Sequence, residues 1–152
     1  MERLHRFVAQ RWVLWLALLF SALAMVAFAW FDRVRPSGTP GVVALQLTFS
    51  AQAFRSILAQ WGPAGVEAYR RATLFADSWF PIAYSLLLSS LTARLLVRSG
   101  LDSSRRWLPA IAVAFVAAFL DWVENALHLL LLRRPAQPSP ALVAVASTAA
   151  AV

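Results

Sequence analysis

The chain has 152 residues, of which 61% are hydrophobic and 14% charged. Soluble domains carry about a quarter charged residues, so the composition excludes an ordinary water-soluble globule and points to one compact domain whose surface meets lipid. The net charge is +7, all 14 basic residues are arginine and there is no cysteine, which excludes disulfides, thiolate nucleophiles and thiolate metal sites.

A basic balance is one footprint of nucleic-acid binding. Here, however, the arginines stand at the ends of apolar runs, at Arg3, Arg6 and Arg11 and again at Arg94, Arg98, Arg105 and Arg106. That placement suits anionic lipid head groups and control of topology, so nucleic acid is set aside as a partner. The all-arginine, alanine-rich usage is that of a GC-rich bacterial genome, and the expected home is a bacterial inner membrane.

A first span is expected over about 7–31, with no charge after Arg11 until its end and with Trp12, Trp15 and Trp30 near the interfaces. The rival is a secretory signal with small residues at Ala22-Leu23-Ala24. The apolar run continues through Phe31, which favours an uncleaved span. Pro36, Gly38, Pro40 and Gly41 then mark a loop over 32–41. Ser50 is a candidate N-cap. Phe54, Ile57, Leu58 and Trp61 recur at helical spacing between polar residues, which predicts an amphipathic helix over about 50–61, lying on the membrane or capping the bundle. Gly62-Pro63 ends it.

A second span is expected over about 73–97 and contains Asp77, Pro81 and Tyr84. After the tight loop SGLDSSRR, a third runs over about 107–132, with Asp102 or Ser103 as cap and Pro109 in its first turn. The tail from Ser139 is apolar but only about 21 Å long as a helix. A crossing takes about 20 residues, so the tail is read as a partial fourth span over 139–152. Arginine density near the span ends places the amino terminus in the cytoplasm and the amphipathic segment outside, although Arg70, Arg71, Arg133 and Arg134 run against that choice.

The third span carries a polar stripe. Asp121, Glu124, Asn125 and His128 fall on one helical face about 100° wide, with apolar residues around them. Ionisable groups in a span face a bundle interior or a wet cavity and mark a site. Spans two and three are antiparallel neighbours because their loop is short. Counted from the loop ends Val97 and Trp107, Tyr84 and Asp121 lie 13 and 14 residues along, and Asp77 and His128 lie 20 and 21. Two polar pairs at matched depths imply one shared cluster. Pro81 has no amide hydrogen, so the carbonyl of Asp77 loses its helical partner and needs a donor such as His128, Asn125, water or a ligand.

The simpler account is interhelical glue, each such bond contributing about 0.6–2 kcal/mol. A metal reading has little support, since Glu124 and His128 are four apart but the spans hold a single histidine; no metal or cofactor is expected. Trp79 and Trp122 flank the polar groups and are read mainly as lipid-facing packing. Ser89, Ser90 and Thr92 are read as helix contacts, and His5 as a head-group residue.

The stretches LQLTFSAQAFRSILAQWGPAG, LFADSWFPIAYSLLL and AFLDWVENALHLLLL resemble a family of small bacterial four-span membrane proteins without assigned function. The resemblance covers most of the chain from Leu45 onward and rests on Asp77, Tyr84, Asp121, Glu124 and Asn125; His128 lies outside the pattern. It implies a four-helix protein with an inward acidic site and no particular activity. A looser likeness to four-helix sterol-isomerase-like proteins rests on architecture alone.

The expected fold is therefore an all-helical integral membrane bundle, with three full spans, a truncated fourth and an interfacial helix between the first two. Three functions are open: a site that binds or transports a small lipid-like or protonatable ligand, lined by Asp77, Tyr84, Asp121, Glu124, Asn125 and His128; a membrane enzyme on a lipid or isoprenoid substrate, with Glu124 and His128 as acid and base; or a structural subunit of an assembly. The partners expected are membrane lipids and a small hydrophobic ligand, with a homo-oligomer left open.

Overall fold

The computed structural model describes residues 7–8, 10–99 and 108–151. The cap candidates Asp102 and Ser103, Trp107, His5 and the arginines at 3, 6, 105 and 106 lie outside that range. Among the described residues the α-helices of defined extent are, in order, α1 Arg11–Val34, α2 Val42–Gln46, α3 Ala51–Ala72, α4 Phe80–Arg98, α5 Leu108–Leu131 and α6 Pro140–Ala151. A π-helical turn, Thr73–Asp77, joins α3 to α4. Three helical stretches are long and apolar enough to cross a membrane, Arg11–Val34, Ala51–Leu96 and Ala112–Leu131. No strand occurs among the described residues.

Helix α1 is apolar on every side yet buries only Val13, Ala17, Ala24 and Phe31. Those positions recur every four or seven residues; Val13, Ala17 and Ala24 form a narrow seam on the side of α4, and Phe31 packs against Trp61 and Tyr69 of α3. Trp15, Leu19 and Val26 are more than half exposed, as suits a surface solvated by hydrocarbon. The helix begins and ends three to four residues later than the pattern predicted. At its far end Arg35 folds onto the loop, donating to the Thr39 carbonyl and hydroxyl and, at 3.3 Å, to the carbonyl of Pro40.

The amphipathic segment behaves as its sequence demands. Ser50 Oγ accepts from the Ala53 amide at 3.3 Å, and Phe54, Ile57, Leu58 and Trp61 are buried. Gly62, at φ +66, breaks the helical path, a backbone conformation that L side chains rarely adopt. Helix resumes at Pro63, where a proline is tolerated because the first amide has no helical partner. The first half of α3 therefore caps the bundle, and its second half leads into α4.

The cap holds the main core. Phe31, Leu45, Phe54, Trp61 and Tyr69 pack with Leu131, Leu132, Val143 and Ala146. The rings of Phe31, Trp61 and Tyr69 contact one another with centroids 5.3–5.7 Å apart, and Trp61 Nε1 donates to the Pro40 carbonyl at 2.7 Å. Helix α6 lies along α5 and is tied to the cap by Ser147 Oγ, which donates to the Thr48 carbonyl at 2.8 Å. Its 12 residues reach about 18 Å, short of the roughly 30 Å hydrocarbon core.

Candidate functional site

The junction of the π turn and α4 is where the backbone needs help. A π turn closes i to i−5 bonds, and Pro81 offers no amide hydrogen. Three carbonyls there are met by side chains. Ser78 Oγ donates to the carbonyl of Thr73 at 3.0 Å. Asn125 Nδ2 donates to that of Asp77 at 3.2 Å, and Trp122 Nε1 donates to that of Ser78 at 2.9 Å. The donor that Pro81 made necessary is thus Asn125. Trp122, read from sequence as lipid-facing packing, does have 43% of its surface exposed, but its indole nitrogen also serves this junction.

One turn deeper, Tyr84 donates its hydroxyl hydrogen to Asp121 Oδ2 at 2.8 Å, which realises the first depth-matched pair. The second is different. His128 meets Tyr69 of α3, with the Tyr69 hydroxyl 2.6 Å from His128 Nδ1, while Asp77 lies beside Asn125. Tyr69 was invisible as a site residue because it sits in the stretch 65–71, whose pattern is neither a span nor a clean amphipathic face. Its only signal was spacing: it lies eight residues before Asp77 and eight after Trp61.

Glu124, Asn125 and His128 are 5% exposed or less, so the stripe on α5 does turn inward; Asp77, Tyr84 and Asp121 are half-buried. The three carboxyls of Asp77, Asp121 and Glu124 are near enough to act on one another electrostatically. Glu124 faces the Gln46 amide of α2 and lies 3.8 Å from His128 Nδ1, yet its Oε1 is buried with no hydrogen-bond partner. Thr73 is fully buried, with its hydroxyl beside that of Tyr69. Gln46 and Thr73 join the cluster only through the tertiary fold. Arg35 pairs with Asp32, and Arg70 and Arg71 pair with Glu67, away from these carboxyls. No three histidine, aspartate or glutamate side chains converge as metal ligands among the described residues.

A cleft of about 410 Å³ opens on the outer side of α4 and α5. Ser78, Trp79, Ile82, Trp122, Asn125 and Leu129 line it. Asn125 belongs to both features, since it lines the cleft and bonds the Asp77 carbonyl. Its neighbour along the helix is Glu124. The cleft is apolar with an amide in its wall, and the carboxyls of Asp77, Asp121 and Glu124 are not among the residues that line it. No protein-family model matches the chain, and neither a curated protein nor a solved structure shows significant similarity to it.

Proposed function

We propose that the protein is a multi-pass membrane protein of the bacterial inner membrane, amino terminus in the cytoplasm, whose intramembrane site binds or carries a small lipid-like ligand with a protonatable head. Asp77, Tyr84, Asp121, Glu124, Asn125 and His128 form the site, and Tyr69 joins them. The reading rests mainly on Glu124 Oε1, a carboxyl oxygen that is buried and unpartnered. An unsatisfied buried polar atom costs about 1–3 kcal/mol, more when charged, and pure helix glue has no use for one. Of the cluster, Asn125 lines the cleft of about 410 Å³, a volume within the roughly 300–1,000 Å³ of small-molecule sites.

Native mass spectrometry of detergent-extracted protein tests this. Wild type retains a lipid-sized adduct, and Glu124→Gln loses it while its thermal unfolding midpoint holds or rises. If Glu124→Gln, Asp121→Asn and Asp77→Asn all keep the adduct and merely unfold earlier, the cluster is structural. A second reading, an enzyme acting on lipid or isoprenoid substrates, is favoured by one observation. His128 Nδ1 stands between the Tyr69 hydroxyl at 2.6 Å and Glu124 at 3.8 Å, a geometry suited to passing a proton. Product appearing from a lipid extract with wild type and not with His128→Gln would select it.

A further inference from the structure

A second hollow, of about 610 Å³, runs between α1 on one side and the π turn and α4 on the other. It shares only Trp79 and Ile82 with the cleft beside Asn125. The seam between the helices makes it a trough. Ala17, Ala24 and Ala83 line it and are buried, whereas Phe20, Leu23, Phe75 and Trp79 line it with more than half their surface exposed. Small side chains let the two backbones approach, and the large ones beside them stand up as walls. Among the described residues no charged, hydroxyl or amide side chain lines it. Leu86 stands 11 residues beyond Phe75, about 16 Å of helix. That is close to one leaflet's half of the roughly 30 Å hydrocarbon core, so the trough accepts one extended hydrocarbon chain along its length.

Its capped end is charged. Arg71 lies four residues before Phe75 and five before Ala76, both of which line the trough. It therefore stands one turn beyond the trough on the same face, because the π turn brings positions four to five apart into line. Arg70 and Arg71 each reach Glu67 at 2.8 Å, and the three side chains keep 40–63% of their surface exposed. Two guanidiniums against one carboxylate leave one positive charge. Arg71 uses Nε for Glu67, which leaves its terminal nitrogens to a phosphate. An exposed cation one turn above an apolar trough is complementary to an anionic head with an acyl tail. A second copy of the chain fits less well, because it carries +7 itself and would set arginine against arginine.

We infer that the trough between α1 and α4 seats one acyl chain of an anionic glycerophospholipid, whose phosphate is held by Arg71 beside Glu67. This rests on the membrane reading above and not on a ligand at Asn125.

The test places the full chain in nanodiscs of equal phosphatidylglycerol and phosphatidylcholine and counts the retained lipids by native mass spectrometry. Wild type should keep phosphatidylglycerol in about fivefold excess over phosphatidylcholine. Arg71→Gln, which leaves Arg70 to balance Glu67, should bring the ratio to about one. Glu67→Gln leaves two positive charges and should raise the ratio about fivefold further, which a merely structural ion pair would not do. Ala27→Phe, which fills the trough from α1, should lose the retained lipid of both kinds. Arg134→Gln, exposed at the same end, should match wild type. The excess should persist in Glu124→Gln, which separates this seat from the site on α5. If Ala27→Phe does not fold, the charge variants decide alone.

A wild-type ratio near one, or a ratio indifferent to Arg71→Gln and Glu67→Gln, overturns the seat. Leu23→Cys in this cysteine-free chain should stay monomeric under oxidation; a disulfide-linked dimer puts a second copy in the trough and overturns it as well. Washing membranes at alkaline pH tests the underlying reading. Chain released to the supernatant removes the membrane reading, whereas chain that stays in the pellet without a phosphatidylglycerol excess removes this seat alone.

Discussion

At the capped end, Phe31, Phe54, Trp61 and Tyr69 are each 2% exposed or less, and the rings of Phe31, Trp61 and Tyr69 meet one another. Along the seam between α1 and α4 the buried residues are small, Val13, Ala17, Ala24, Ala83 and Ala93, while Trp15, Leu19, Val26 and Leu95 point outward with more than half their surface exposed. On the proposed membrane reading the difference is one of solvent. Near water, burying a large apolar side chain contributes about 1.5–3 kcal/mol, so aromatic residues gather inward. Within hydrocarbon that gain vanishes, because lipid tails are as apolar as leucine, and small residues that let backbones approach carry the contact. The candidate site lies where these regimes meet. Its Tyr69–His128 side leans on the aromatic cap, with Phe54 5.9 Å from the His128 ring, and its Tyr84–Asp121 side reaches about 15 Å back along α5 from Leu131.

Substitutions at the two regions should therefore separate sharply in thermal unfolding of the detergent-solubilised protein. Trp61→Ala removes a ring that contacts both Phe31 and Tyr69 and a bond to the loop carbonyl; a loss of about 3–5 kcal/mol is expected, and a loss below 1 would deny the cap its role. Tyr69→Phe keeps the ring and deletes only the hydroxyl, so about 1–3 kcal/mol should go, together with any proton-linked signal from His128. Asn125→Ala leaves the Asp77 carbonyl without its donor and should cost about 0.6–2 kcal/mol; if stability is unchanged, another donor reaches that carbonyl. Ser50→Ala removes the α3 cap and should cost about 1 kcal/mol. Leu19→Ala, on the outward face of α1, should stay within about 0.5 kcal/mol. A loss comparable to that at Trp61 would mean that this face is covered by protein.

Much of this arrangement was legible in the residues. The Asp121–His128 stripe had to turn one way because its members repeat at helical spacing, and the Pro81 argument placed Asn125 among the four candidate donors because a carbonyl in an apolar slab must be satisfied. The amphipathic helix, its Ser50 cap and its break at Gly62 followed from local chemistry. What stayed hidden was Tyr69, Gln46 and Thr73. Each sits in a segment with ordinary local preferences and enters the site only through packing. The π turn was hidden too, because no side chain announces an i to i−5 bond.

The chain by itself determined that three stretches are long and apolar enough to span, that one face of α5 is acidic, and that a short helix shields one end. These depend on hydrophobic length and periodicity, which are properties of contiguous residues. Only the tertiary structure decided which hydroxyl meets which acceptor, and that one oxygen of Glu124 is left without a partner. Hydrogen bonds are matters of a few tenths of an ångström, and that distance is set by how helices distant in sequence settle against one another.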